Sequence, residues 1–254
     1  MASEELKAAL AAARAASEVI NAHYRRNPGV RLKSDASPVT EADVLAEEAI
    51  HATLSARFPA YGFHGEETGQ HGAAAESVWL VDPIDGTKAF VREIPFFSTQ
   101  IALWRAGRLV LGVSSAPAFG ELAWAEAGTG AFLNDRPIHV SAVTTLAAAA
   151  ISAGNLKSLA RAAAWPRYGA LIAGAAYARG YGDFVHYHLL ARGALDIVIE
   201  SNVNILDIAA LTVIVREAGG RFTDLDGGEV GLATTSVLAT NGALHAAVLA
   251  SLAD

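Results

Sequence analysis

The chain has 254 residues, of which 52% are hydrophobic and 18% charged; 19 Lys and Arg set against 26 Asp and Glu leave a net charge of −7. That composition supports a sizeable core and excludes wholesale disorder, and the acidic surplus excludes a non-specific grip on a nucleic-acid backbone. The absence of cysteine excludes disulfides, thiolate zinc sites and a cysteine nucleophile.

Residues 3–26 have helical periodicity, with Leu6, Leu10, Val19 and Ile20 on an Ala-rich background, and Asn27-Pro28-Gly29 ends that helix. Glu4, Glu5, Lys7, Arg14 and Glu18 break the uncharged core a signal peptide needs, and no uncharged apolar run is long enough to span a bilayer. The expectation is a cytoplasmic protein without membrane association. A second helix begins at Thr40, whose hydroxyl can cap it, and runs to about Arg57. Residues 78–81 form a short apolar run suited to a buried strand. Strands follow at 97–104 and 109–114, joined by a turn at Ala106-Gly107, then at 121–126 and 130–133. From about residue 142 the pattern alternates: strand 150–153, helix 183–192, strand 195–200, helix 207–218, strands 221–224 and 236–240, helix 243–252. This order predicts layered helices and sheets, in an N-terminal half (1–141) and a C-terminal half (142–254) that form one compact unit.

The chemistry concentrates in Trp79-Leu80-Val81-Asp82-Pro83-Ile84-Asp85-Gly86-Thr87. An apolar strand delivers two carboxylates at its end, Pro83 stiffens the connection, and Gly86 permits a positive φ. If Thr87 opens a helix, its N–H groups form an anion site beside those carboxylates. Carboxylates would repel a phosphate there unless a cation stood between them, so the combination implies Mg²⁺. The spacing D-x-x-D-G-T differs from the D-x-D-x-T of aspartyl-phosphate-forming phosphatases. The D-x-D of Asp224-Leu225-Asp226-Gly227-Gly228 lacks the following Thr and is a solvated turn.

Three further acids accompany this segment. Glu66, in Gly65-Glu66-Glu67-Thr68-Gly69, is either a turn residue or a further ligand. Asp207, at the start of an apolar helix, is an N-cap and can also ligate a metal. Asp43 completes a capping box with Thr40 or takes part in catalysis. His186 and His188, two apart on a helix, make a poor metal pair and are core or surface residues; Trp79, Trp104, Trp124 and Trp165 are expected in the core.

Together these segments resemble the inositol monophosphatase superfamily, from residues 33–43 (KSDASPVTEAD) to 239–242 (ATNG). Residues 82–90 (DPIDGTKAF), 95–103 (PFFSTQIAL), 181–184 (YGDF) and 215–220 (VREAGG) are most similar to the bacterial histidinol-phosphatase branch. The resemblance implies a five-layer αβαβα sandwich, a homodimer, and hydrolysis of a small phosphate monoester by metal-activated water. It implies Glu66, Asp82 and the Ile84 carbonyl as ligands of one Mg²⁺, and Asp82, Asp85 and Asp207 as ligands of a second, with Glu66 reaching a third. Thr87, oriented by Asp43, would activate the water, and Gly86 and Thr87 N–H groups would cradle the phosphate. Glu66 joins these as a catalytic group, while Asp85, Asp183, Glu200 and Asp207 would contact the substrate. Leu206 departs from the family's Trp before the last ligand, which alters pocket shape and removes no ligand. Histidinol phosphate, with its ammonium and imidazole, suits the acids Asp183 and Glu200. Inositol phosphate is the alternative, and a catalytically silent scaffold of the same fold is the alternative of another class.

Overall fold

The computed structural model describes residues 2–26, 30–32, 38–72 and 75–253. The expected helix stop at Asn27-Pro28-Gly29 and the motif residues 33–37 lie outside them. The chain opens with α1 (Glu4–His23), β1 (Val30–Leu32), β2 (Pro38–Thr40) and α2 (Glu41–Arg57). Next come β3 (Gly62–Gly65), β4 (Gly69–His71), β5 (Ser77–Asp85), α3 (Thr87–Val91), β6 (Ser98–Arg105), β7 (Arg108–Ala116), β8 (Glu121–Glu126), β9 (Ala131–Leu133) and β10 (Arg136–Ile138). The second half holds β11 (Ala150–Ala153), α4 (Leu156–Leu159), α5 (Trp165–Gly174), β12 (Tyr177–Arg179), α6 (Asp183–Ala191), β13 (Ile197–Ser201), α7 (Ile205–Glu217), β14 (Arg221–Thr223), β15 (Ser236–Thr240) and α8 (His245–Leu252).

Two sheets dominate. The larger has eight strands in the order β10-β9-β8-β7-β6-β5-β3-β4, antiparallel except where β3 and β5 run parallel. The smaller has five, β12-β11-β13-β15-β14. Helices α1 and α2 cover one face of the large sheet. Buried Ala8, Ala9, Ala12, Ala13 and Ala16 keep α1 thin enough to nest there against α2. On its other face lie α6 and α7, which also meet β13 and β14 of the small sheet. Helices α4, α5 and α8 close the far side of the small sheet, so the layers run αβαβα as expected.

The central layer fixes the rest. Ten of α7's residues, among them Leu206, Ile208, Leu211 and Ile214, are buried, so this helix is apolar on nearly every side. A Cβ on Gly112 of β7 would stand 2.3 Å from the Ala210 carbonyl oxygen, so the α7 backbone rests directly on the sheet. Leu206 belongs to this central core. The expected start of α7 at 207 moves back to 205. Trp165 departs from expectation: it is 39% exposed, whereas Trp79 is buried. Among the described residues, no helix is long and apolar enough to cross a membrane.

Candidate active site

The two aspartates of the central motif share a side through an irregularity in β5. In a regular strand, residues three apart face opposite sides of the sheet. Here Asp82 pairs with Gln100 and Asp85 with Ser98, so three steps on β5 match two on β6. The extra residue forms a bulge that returns Asp85 to the face of Asp82. Thr99 anchors the bulge by donating its hydroxyl to the Pro83 carbonyl at 2.8 Å. The chain then turns through Gly86 at φ 90°, where a Cβ would stand 2.4 Å from the Phe96 carbonyl oxygen. Only glycine fits both demands. Thr87 starts the short helix α3 as expected.

Asp43 makes the capping-box contacts with one oxygen and meets Thr87 with the other. Its Oδ2 accepts the Thr40 N–H at 2.7 Å and the Thr40 hydroxyl at 2.6 Å, completing the capping box of α2. Its Oδ1 lies 3.2 Å from the Thr87 hydroxyl, which also stands 3.0 Å from the Ile84 carbonyl. Burial pushes the Asp43 carboxyl above its ordinary pKa despite the hydrogen bonds from Thr40.

Asp207 is the third residue of α7 rather than its N-cap. Asn204 caps the helix by accepting the Leu206 N–H at 2.7 Å. In return, Asp207 accepts the Asn204 N–H on Oδ2 and the Asn204 side-chain amide on Oδ1, both at 2.8 Å. The β5 bulge and the α7 start thereby bring carboxylate oxygens of Asp82, Asp85 and Asp207 within 4.8 Å of one another.

Three anionic groups so close, in a poorly solvated place, resist ionisation together. Burial and then Glu66 push Asp82 well above its ordinary pKa; burial and then Asp183 do the same to Asp85. Burial raises Asp207 to about 7. Asp82 Oδ1 is buried with no hydrogen-bond partner among the described residues. Clustered hard oxygens, one left unmatched, fit a divalent cation and leave the acids poorly satisfied without one. Glu66 and the Ile84 peptide line the same cleft of about 480 Å³.

Asp183 and Glu200 also line the cleft. Glu200 is buried, and its Oε2 accepts the Tyr187 hydroxyl at 2.7 Å with His186 Nε2 at 3.1 Å. Its Oε1 lies 3.3 Å from the Asn155 amide and occupies the space a Cβ on Gly154 would take. Asp183 sits at φ 46°, a conformation side chains rarely adopt, and accepts no hydrogen bond from the described residues. Burial and then Glu200 raise its pKa to about 6.

The sequence-predicted residues Asp43, Glu66, Asp82, Ile84, Asp85, Gly86, Thr87, Asp183, Glu200 and Asp207 thus gather around one cleft, with Asp43 just behind Thr87. Sequence reasoning missed Asn204 and Tyr187. The N-x-x-D spacing before an apolar run is the capping-box signal that would have found Asn204. His186 and His188 are both core residues, the second bridging Glu121 and Ser114 at 2.9 Å each. The turn at Asp224 is confirmed: its Oδ1 accepts the N–H groups of Asp226 and Gly228.

Comparison with known proteins agrees with this geometry. The profile of the inositol monophosphatase family matches residues 1–254. A histidinol-phosphatase of Mycobacterium tuberculosis is 41% identical over 258 residues, covering 99% of each chain. An inositol-1-monophosphatase of Mesorhizobium japonicum is 36% identical over 88% of this chain and 86% of its own. The crystal structure of the extragenic suppressor protein SuhB from Bartonella henselae superposes with a TM-score of 0.90 at 33% identity, covering 98% of both chains. With its five layers and its acid-lined cleft, the chain belongs to the inositol monophosphatase family and is a phosphoric monoester hydrolase.

Proposed function

We propose that the protein hydrolyses histidinol phosphate to histidinol and phosphate with Mg²⁺. The carrying observation is the cluster of Asp82, Asp85 and Asp207 oxygens within 4.8 Å, beside the N-terminal end of α3. Asp82, Asp85 and Asp207 would hold one ion, Glu66, Asp82 and the Ile84 carbonyl another, and Glu66 would reach a third. Mg²⁺ bound there supplies a lowered pKa for a water and neutralises charge on the departing oxygen.

The chain's own groups do the rest. The N–H groups of Gly86 and Thr87, at the open start of α3, receive phosphate oxygens. Thr87 Oγ accepts a proton from the attacking water while passing its own to Asp43 Oδ1, 3.2 Å away. The raised pKa of Asp43 makes it the better acceptor for that proton. Asp183 meets the substrate ammonium, and Glu200, held on Oε2 by Tyr187 and His186, presents Oε1 to the organic part.

The same proposal takes residues 1–141 and 142–254 as one catalytic unit, since Glu66, Asp82 and Asp85 come from the first and Asp183, Glu200 and Asp207 from the second. On the family resemblance it takes the enzyme as cytoplasmic and as a homodimer, the second of which sedimentation checks. The identity to histidinol-phosphatases, 35–41% in three relatives, supports this substrate. Inositol 1-phosphate is the second reading, supported by the relatives of that activity and by carboxylates that accept hydroxyls as readily as an ammonium. Side-by-side kcat/KM on the two esters decides between them. A preference for the inositol ester overturns the substrate, and no Mg²⁺-dependent hydrolysis of any monoester overturns the reaction.

A further inference from the structure

Glu47 has no part in the chemistry above, yet it is a fully buried carboxylate in α2. Burying such a group is costly unless donors surround it, and those described come from one short segment. Glu47 Oε2 accepts the Glu67 N–H at 2.9 Å; Oε1 accepts the Thr68 N–H at 2.8 Å and the Thr68 hydroxyl at 2.6 Å. These are charge-assisted bonds, stronger than those a neutral acceptor would form. A Cβ on Gly65 would lie 2.4 Å from the carboxylate, so glycine there is what lets Glu47 sit over the turn.

Between Gly65 and Glu67 stands Glu66. Its own N–H donates to the Val81 carbonyl at 3.1 Å, one residue before Asp82. The Glu66 backbone is therefore held on one side by β5 and on the other by Glu47. Asp43 and Glu47 are four residues apart, on one face of α2. One rigid helix face thus holds both loops of the site: Asp43 grips Thr87 after β5, and Glu47 grips the turn after β3.

We propose that Glu47 is a positioning residue that sets the Mg²⁺ affinity of the site by fixing the backbone of Glu66. The inference rests on the reading of Glu66 as a metal ligand. Glu47→Gln keeps the shape but turns an amide donor toward the N–H groups it must accept. Titration calorimetry of the full chain with Mg²⁺ alone should show affinity weakened about ten- to a hundredfold. The kcat at saturating Mg²⁺ should stay within a few-fold of wild type. A purely structural role would lower Tm and leave Mg²⁺ affinity unchanged, and that result overturns the proposal. If Glu47→Gln does not fold, Thr68→Val removes only the hydroxyl bond; a smaller loss of Mg²⁺ affinity supports the proposal and an unchanged affinity overturns it. Wild-type protein that binds no Mg²⁺ removes the metal reading of Glu66 itself, whereas tight wild-type binding with unaltered variants removes the role of Glu47 alone.

Discussion

Asp82 and Asp85 lie on the same side of β5 only because the strand takes up one more residue than its partner between them. Burial first, and then neighbouring acids (Glu66 for Asp82, Asp183 for Asp85), raises both pKa values, so each ionised carboxylate costs stability at neutral pH when no cation is present. Asp85→Asn removes one of those charges. The metal-free variant should melt about 2 °C or more above the wild type, while Mg²⁺-dependent turnover falls about a hundredfold or more. Calorimetric melts without Mg²⁺, together with phosphate release, check both halves. A lower Tm in the metal-free variant contradicts the electrostatic account.

Asn204 caps α7 and also holds Asp207 by its amide. Asn204→Ala should cost about 1 kcal/mol, or about 2–4 °C in Tm, and weaken Mg²⁺ binding. Asn204→Ser keeps a capping oxygen but has no amide to donate. It should recover the Tm and not the Mg²⁺ affinity; recovery of both would show that the amide bond to Asp207 has no bearing on the metal.

His245 sets a pH dependence away from the site. It is buried between Thr223 Oγ1 at 3.1 Å from Nε2 and Thr240 Oγ1 at 3.2 Å from Nδ1. Thr223 already donates its hydroxyl to the Asp224 carbonyl, so it accepts from Nε2–H. Thr240 accepts the Gly242 N–H and is free to donate to Nδ1. The neutral ring is satisfied, and burial, then Arg221, lowers its pKa to about 4. In the unfolded chain the group titrates near 6.5, about the ordinary value. Between those values the unfolded state binds more protons, so this group's contribution is full above about 6.5 and is lost as pH falls toward 4. His188, lowered by burial, acts with the same sign. Tm measured from pH 7 to 4.5 should fall less steeply in His245→Asn than in wild type; parallel curves would refute the assignment.

Asp183 separates the two substrates. Asp183→Asn should raise KM for histidinol phosphate about tenfold or more, the worth of a charged hydrogen bond, and change KM for inositol 1-phosphate much less. Equal effects on both esters would remove the ammonium contact.

The segment from Trp79 to Thr87 was legible because strand, turn and helix start each carry a local signature there, and the acids fall where those signatures meet. The bulge was not, since it exists only as a mismatch between Asp82–Asp85 and their β6 partners Gln100 and Ser98. β3 is four residues with glycine at both ends, too short and too glycine-rich for periodicity, so the Glu66 that follows it reads equally as a turn acid. α5 lacks a capping side chain and includes Gly169, although Pro166 at its first turn is a start signal that was available. Glu47 stands at an unremarkable helix position; its partners lie about twenty residues away, across a fold that sequence patterns do not encode.

α7 is wedged between two sheets, with its backbone against Gly112 and its first turn carrying Asp207. A chain cut between 141 and 142 would leave one fragment with Glu66, Asp82 and Asp85, and a raw sheet face where α7 had rested. The other would keep Asp207 on a helix stripped of half its cover. On the proposed reading neither piece should be a smaller enzyme, and mixing them should restore turnover only by rebuilding the central core. Activity in a split-protein assay would therefore report reassembly of the apolar interior, which makes the catalytic cleft a sensor of whether the middle layer has closed.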